Sequence, residues 1–206
     1  MKQTNFSDRQ IEIMEAATLR IDRHGIQELT IKNLSSDIGV SEAALYRHFK
    51  SKNDIMLGLL TYFTQEMSQR IEGIISKEDR TPVERLRDVF SSQLKAFVQK
   101  PAIVSVIFAE GIFNFNKELS ATVTGIMEMM HDVIDTIIKE GQDDGSLTSF
   151  VGHSTLATII MGSMRITVLK WKISGHKSDL IKDGNKVLNG IFKMTENKVD
   201  LITHKL

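Results

Sequence analysis

Apolar residues recur along this chain at intervals of three and four positions, and only two prolines interrupt its 206 residues. That interval places apolar side chains on one face of an α-helix, whereas a half-buried strand shows strict alternation of apolar and polar residues. Turn dipeptides of the β-hairpin type do not separate alternating apolar runs in this sequence. The pattern therefore predicts an all-α fold.

Helix boundaries in the first fifty residues are marked by capping and turn residues. Ser7 and Gln10 have the spacing of a capping box, and Gly25 is predicted to end the helix that follows. A second, short helix is expected to open at Thr30, and a third after Ser41, because both hydroxyls are good helix caps. The sequence thus predicts three helices before residue 51.

The remaining helices are predicted to be longer. One should begin at Ser51 and run to about Ile75, and the next should begin at Thr81, with Pro at the first helical position, and end near Gln99. Further helices are expected over residues 102–111, 116–140, 150–173 and 178 to about 197.

Composition excludes several classes of protein. The chain has no cysteine, so it has no disulfide framework and no thiolate zinc site. It lacks the about 20 uninterrupted apolar residues of a membrane span, and its amphipathic, acid-containing N-terminus is unlike a signal peptide. A glycine-rich phosphate loop, a His-Glu-x-x-His pair and a cluster of metal ligands are all missing from the sequence. We therefore expect a cytoplasmic protein that is not an enzyme, with no catalytic residue, metal, cofactor or membrane partner.

The segment Gly-Val-Ser, residues 39–41, joins the second predicted helix to the third. A connection this short holds two helices at a steep angle, which is the arrangement of a helix-turn-helix. On a helical wheel of the third helix, Leu45, His48 and Phe49 share one side, with Ser41 above them. The other side consists of Ala43, Tyr46, Arg47 and Lys50. The apolar side can pack on the preceding helices, so the second side is predicted to be exposed and to enter a groove of DNA.

The exposed side has the chemistry of DNA recognition. Ala43 and Ala44 are small enough to let the helix backbone approach base edges, and a methyl group can also meet the thymine methyl. Arg47 can pair with guanine or contact a phosphate, and both roles remain open. Tyr46 offers a hydroxyl donor to a phosphate. Glu42 can accept from a cytosine amino group, although it also repels phosphates.

Residues around the helix-turn-helix offer further contacts. Thr30 and Lys32 begin the second helix, where free amides and the positive end of the helix dipole favour a phosphate. Lys52 stands at the start of the fourth helix and is predicted to bind the next phosphate. His48 fits a packed, hydrogen-bonded role as well as a DNA contact, and Lys50 with Lys52 fits an ordinary solvated pair.

The segment LTIKNLSSDIGVSEAALYRHFKSKNDIM, Leu29–Met56, resembles the DNA-binding head of TetR-type and AcrR-type bacterial transcriptional regulators. The matching features are Thr at the second helix start, Gly-Val-Ser at the turn, Leu-Tyr-x-His-Phe in the third helix and Lys-Ser-Lys before the fourth. The resemblance implies nine or ten helices: a three-helix head over residues 1–52 and a larger ligand-binding and dimerisation body over residues 53–206. It implies that the residues near bases are Glu42, Ala43, Ala44 and Arg47. It implies that the residues holding the DNA backbone are Thr30, Lys32, Ser41, Tyr46, His48 and Lys52.

The resemblance also implies a function. Proteins of this kind bind a palindromic operator as dimers, usually to repress, and release it when a small molecule enters the body. We therefore expect a ligand-responsive, homodimeric repressor that is released from double-stranded DNA by a small hydrophobic or amphipathic molecule. The alternative is a helical interaction module whose helix-turn-helix docks a protein partner.

Two further sets of residues are candidates for the dimer interface and the ligand pocket. The last two long helices carry apolar stripes that two copies could assemble as a four-helix bundle, or that could cover the body's own core. These stripes are Leu156, Ile160, Met164, Leu180, Val187, Ile191 and Met194. Phe and Met are frequent before them, which suits an apolar pocket and also suits plain core. With three polar anchors, the pocket candidates are Phe63, Met67, Phe90, Phe97, Phe108, Glu110, Phe113, Met127, Met130, His131 and Arg165.

Overall fold

The protein is described by a computed structural model that covers residues 4–77, 79–108 and 116–195. Within these ranges it contains nine α-helices, one short 3-10 helix at Ile26–Glu28 and no β-strand, which confirms the all-α prediction. The α-helices are α1 Asp8–His24, α2 Ile31–Asp37, α3 Glu42–Tyr46, α4 Lys52–Ile75, α5 Pro82–Gln99, α6 Pro101–Ile107, α7 Lys117–Asp143, α8 His153–Ile173 and α9 Leu180–Thr195.

The first three helices begin at the capping residues that the sequence predicts. The Ser7 hydroxyl accepts a hydrogen bond from the Gln10 amide at 3.3 Å, and the Gln10 side chain accepts one from the Ser7 amide at 3.0 Å. Gly25 follows α1 with φ of 83°, a conformation that residues with a Cβ rarely adopt. Thr30 and Ser41 cap α2 and α3 through their side chains. The local chemistry of these caps therefore fixes where the helices begin.

Four of the later helices differ from the predicted bounds, and one of the differences is the start of α9 at Leu180 instead of residue 178. Helix α6 begins at Pro101, because proline is well placed in a first helical turn. Helix α7 continues to Asp143, three residues beyond its predicted end. Helix α8 begins at His153, and in the segment before it the Thr148 amide donates to the Thr195 carbonyl at 2.7 Å. The predicted ends at residues 111 and 197 lie outside the described residues.

The chain divides into two compact units. The first unit comprises Met1–Gln69 and Phe97–Ile126, and it includes the whole of the predicted head. Its core is built from apolar side chains of α1, α2 and α3 together with those of α4 and α6. Gly58 of α4 permits a close approach, because a Cβ there would lie 3.1 Å from both the Met14 sulfur and the Phe49 ring. The three-helix head and the first turns of α4 thus share one core.

The second unit comprises Arg70–Ala96 and Met127–Leu206. In it, α8 packs on α9, and α9 packs on α5 through Gly184, where a Cβ would overlap the Leu94 side chain. The Arg87 guanidinium of α5 lies over the Phe192 ring, 4.5 Å from its centroid. No helix among the described residues is long and apolar enough to cross a membrane.

Candidate nucleic-acid interface

Helix α3 has only five residues and is held to the rest of the head by one side. Leu45 is completely buried, and Phe49, in the turn that follows, is 3% exposed. On the opposite side Tyr46 is 50% exposed, and Arg47 and Lys50 are exposed as well. The structure therefore brings the two apolar side chains inward and leaves the aromatic and basic side chains on the surface.

The small residues and the acid of the predicted interface accompany this exposed side. Glu42 and Ala43 are exposed in the first turn of α3, and Ala44 is half-buried. Ser41 is exposed, and its hydroxyl accepts a hydrogen bond from the Ala44 amide at 3.1 Å. Because a serine hydroxyl can accept and donate at once, its hydrogen stays available to a phosphate. His48 is half-buried, and its carbonyl accepts a hydrogen bond from Gln10.

The start of α2 presents a second polar surface. Thr30 caps the helix, and its hydroxyl accepts from the Asn33 amide at 3.1 Å. Thr30 and Lys32 are both exposed. Ser35, by contrast, is 5% exposed and donates to the Lys32 carbonyl at 2.9 Å, so its hydroxyl is satisfied within the helix. The exposed groups at this end are a hydroxyl and an ammonium, both of which are phosphate donors.

The Lys52 ammonium already makes a hydrogen bond within the protein. This ammonium donates to the carbonyl of Ile26 at 2.6 Å, which ties the start of α4 to the 3-10 helix. Burial of the side chain lowers the pKa of Lys52 from its ordinary value, and the neighbouring carboxylate of Glu28 opposes this shift. An ammonium has three donors, and this hydrogen bond uses one of them.

An ion pair joins the first two helices of the head. The Arg20 guanidinium of α1 donates to both carboxylate oxygens of Asp37 at the end of α2, at 2.5 Å and 2.8 Å. Two parallel hydrogen bonds of this type fix orientation as well as distance. The hydrogen bond from Arg20 holds the pKa of Asp37 below its ordinary value. This pair helps to position the helix that precedes the turn.

The candidate pocket residues fall in both units. The first unit buries Phe63, Met67 and Phe97. The second unit buries Phe90 and Met130, whereas Met127 is 44% exposed. The half-buried candidates are Phe108, His131 and Arg165. Glu110 and Phe113 lie outside the described residues.

Two contacts describe the candidate pocket residues more closely. The rings of Phe63 and Phe97 stack with centroids 6.1 Å apart, inside the first unit. The Nε2 atom of His131 lies 3.3 Å from the Ser154 carbonyl oxygen, inside the second unit. Phe63 also lines a cavity of about 300 Å³ between α1, α4 and the start of α6. Most of the cavity lining was not among the predicted residues, because it joins α1 to residues near position 100, a contact that sequence periodicity does not reveal.

The candidate dimer residues divide by exposure. Five of them are buried within the second unit, so their side chains are already covered by the same chain: Leu156, Ile160, Met164, Leu180 and Ile191. Val187 is 37% exposed and Met194 is 75% exposed. The face of α8 that remains uncovered carries Ile159, Ile166 and Ile173, which were not among the predicted dimer residues. These three isoleucines are seven residues apart in the sequence, and this spacing could have indicated that they share one face of the helix.

The described residues hold no group of three or more His, Cys, Asp or Glu side chains that could bind a metal ion. The exposed side chains of the head offer hydroxyl, guanidinium and ammonium donors. Such donors contact phosphates and base edges in protein–DNA complexes.

Comparison with known proteins places this geometry in a family. Residues 13–59 match the family model described as "Bacterial regulatory proteins, tetR family". Residues 60–194 match the model described as "YsiA-like protein, C-terminal region". The fatty acid metabolism regulator protein of Bacillus subtilis (strain 168) is 26% identical over 190 residues, which is 91% of this chain and 96% of that protein. The nucleoid occlusion factor SlmA of Vibrio atlanticus (strain LGP32) is 27% identical over 178 residues, with coverages of 86% and 90%.

A solved structure extends the comparison to three dimensions. The transcriptional regulator FadR from Bacillus subtilis, in complex with stearoyl-CoA, is 25% identical to this chain with a TM-score of 0.72. The match covers 88% of this chain and 96% of that one. The resemblance predicted from Leu29–Met56 is thus confirmed and extends through the helical body. The chain belongs to the TetR family of DNA-binding bacterial transcriptional regulators, and it is not an enzyme.

Proposed function

We propose that this regulator is a homodimeric repressor of the bacterial cytoplasm, which binds a palindromic operator and releases it when a long-chain acyl ligand binds the helical body. The observation that carries the proposal is the one-sided burial of α3. Its apolar side is covered by the head, and Tyr46, Arg47 and Lys50 are left on the surface. A helix held in this way can lie in the major groove with its exposed side against the bases.

The residues of the exposed side divide into two roles. Arg47, Ala43 and Ala44 approach base edges and determine which sequence is bound. Thr30, Lys32, Ser41, Tyr46, His48, Lys50 and Lys52 hold phosphates and determine how strongly any duplex is bound. The Glu42 carboxylate accepts a hydrogen bond from a base amino group, and it weakens binding by repulsion where a phosphate lies closer than a base. Arg47→Ala should therefore relax sequence preference, whereas Lys32→Ala should weaken all duplexes similarly.

The proposed dimer uses the uncovered faces of α8 and α9. Ile159, Gly162 and Ile166 follow one another on the exposed face of α8, and Val187, Gly190 and Met194 do so on α9. A Cβ at Gly162 or Gly190 would meet no atom within 4 Å, so a second pair of helices can approach closely there. Since α8 packs on α9, two copies can form a four-helix bundle.

The proposed effector follows from the relatives and from the apolar interior. The similar FadR structure contains stearoyl-CoA, and both units of this chain bury Phe and Met side chains. Methionine adapts to irregular apolar shapes, which suits a long flexible acyl chain. A ligand of this class can change operator affinity only by binding one arrangement of the heads more tightly than another.

Selection of bound duplexes from a random pool tests operator recognition. The expected product is a two-fold symmetric sequence, whose binding weakens steeply as salt rises because counterions are released from phosphates. Recovery of no preferred sequence, with a flat response to salt, would instead favour the alternative in which the helix-turn-helix docks a protein.

A charge on the uncovered face of α8 tests the dimer. Ile166→Glu should give monomers in sedimentation velocity, because it places a carboxylate in an apolar interface. Ile75→Glu is the matched control: Ile75 is 40% exposed on α4 and lies outside the proposed interface, so the dimer should persist. If the Ile166→Glu protein remained a dimer, the interface would have to lie elsewhere on the protein.

Titration of the operator complex tests the effector. Stearoyl-CoA should release the selected operator and raise the melting temperature of the free protein, since it binds the folded state. Coenzyme A without an acyl chain is the control and should do neither. If stearoyl-CoA and coenzyme A release the operator equally, or if neither releases it, the proposed class of effector is wrong. Operator recognition is tested by the separate selection experiment and would not be affected.

A further inference from the structure

We propose that the cavity in the first unit is a second ligand site, which takes a small lipophilic cation such as a protonated alkylamine. The cavity has a volume of about 300 Å³ and lies between α1, α4 and the start of α6. Pockets that bind small molecules span about 300–1,000 Å³, so this one suits a compact ligand. The inference does not depend on the acyl effector proposed above.

The walls of the cavity are predominantly apolar. Ile11 and Met14 of α1, Leu59 and Phe63 of α4 and Ile103 of α6 all face it. Met14, Leu59, Phe63 and Ile103 are each at most 5% exposed, so the apolar surface is anchored in the core of the unit. Such a surface accepts the hydrocarbon part of a ligand and gains free energy in proportion to the area covered.

The charges at the cavity select a cation. The charged side chains that line it are two acids and one base: Glu15 of α1, Glu66 of α4 and Lys100, which precedes α6. Lys100 donates to Glu66 at 2.5 Å and is therefore matched to that carboxylate. Glu15 is exposed and adds a second carboxylate, for which the cavity lining has no second basic side chain. The lining thus carries a formal net charge of minus one.

An aromatic face completes the polar end of the site. The Lys100 ammonium lies 5.1 Å from the centroid of the Tyr62 ring, so that ring already faces a cation. Tyr62 also lines the cavity. A ligand ammonium can approach the same ring and the carboxylates of Glu15 and Glu66, whereas a ligand carboxylate would have to displace Glu66 from Lys100. A cationic ligand is therefore favoured over an anionic one.

Calorimetric titration of the full-length protein tests the site without DNA or the acyl effector. The ligands are n-octylamine, n-octanol and n-octanoate, which share a chain length and differ in charge. We expect n-octylamine to bind most tightly, at one site per protomer. Glu15→Gln should weaken its binding by up to about five-fold, as for loss of one exposed ion pair, and should leave n-octanol binding unchanged.

Asp22→Asn is the matched control, because Asp22 is an exposed acid of α1 that does not line the cavity. It should leave all three affinities unchanged. The proposal is overturned if n-octylamine does not bind, if n-octanol or n-octanoate binds as tightly, or if Glu15→Gln and Asp22→Asn have equal effects. Glu15 is exposed, so its substitution should leave the melting temperature unchanged and the comparison interpretable.

Discussion

Leu45 and Tyr46 are neighbours in α3, yet the structure gives them opposite roles. Leu45 is fully buried and Tyr46 is 50% exposed. Substituting each by alanine should therefore separate folding of the head from contact with DNA. We expect Leu45→Ala to act mainly on stability and Tyr46→Ala mainly on operator affinity.

The magnitudes follow from these environments. Removing a completely buried leucine side chain costs about 2–5 kcal/mol, which is a large part of the about 5–15 kcal/mol that stabilises a typical domain. Truncating an exposed side chain usually changes stability by less than about 0.5 kcal/mol. A hydrogen bond from the tyrosine hydroxyl to a charged phosphate contributes about 1.5–3 kcal/mol, so its loss should weaken each half-site at least about tenfold.

Urea unfolding and fluorescence anisotropy with the selected operator measure the two effects. Leu45→Ala should shift the unfolding midpoint to lower urea, with loss of operator binding following from loss of the folded head. Tyr46→Ala should leave the midpoint near that of the parent and lower the affinity. If Tyr46→Ala lowered the midpoint as much as Leu45→Ala, or left operator affinity unchanged, the assignment of the two faces of α3 would be refuted.

Three further changes test the fold. Asp37→Asn should lower stability at neutral pH, because the hydrogen bond from Arg20 lowers the folded-state pKa of Asp37. The effect should disappear as the pH falls through that lowered pKa and the carboxylate is protonated; urea melts at neutral and at acidic pH measure it. Gly184→Ala should lower the melting temperature, because overlap with Leu94 costs about 1–3 kcal/mol against a gain of up to about 1 kcal/mol in helix propensity; an unchanged or higher melting temperature would contradict the packing. Ser7→Ala should cost about 1 kcal/mol through loss of the α1 cap, about 2–4 °C in a thermal melt, and no loss would contradict the cap.

The head was predictable because its signals are local. A capping side chain and the amide that it satisfies lie three residues apart, so the Ser7–Gln10 pair is visible in the sequence and is present in the structure. The burial of Leu45 and Phe49 likewise follows from a wheel of a single short helix. Local capping and one-sided burial agree with each other here, and such agreement is what makes a segment specify its fold.

The uncovered face of α8 was not predictable in the same way. This helix carries one apolar stripe through Ile160 and another through Ile159, Ile166 and Ile173, and both have helical spacing. The sequence does not state which stripe meets α9 and which faces outward, because that choice depends on residues far away in the chain. The structure buries the Ile160 stripe and leaves the second stripe exposed.

Lys52 illustrates why position alone does not define a contact. Its place at the start of α4 predicts a phosphate ligand, but its ammonium already donates to the Ile26 carbonyl at 2.6 Å. Burial lowers the pKa of Lys52, and the nearby Glu28 carboxylate opposes this shift without reversing it. A phosphate would add a charge-assisted partner to the two remaining donors without breaking the first hydrogen bond. If Lys52 contacts DNA, the side chain that holds α4 to the 3-10 helix would be the same one that holds a phosphate, so substituting it would change both the geometry of the head and the operator affinity.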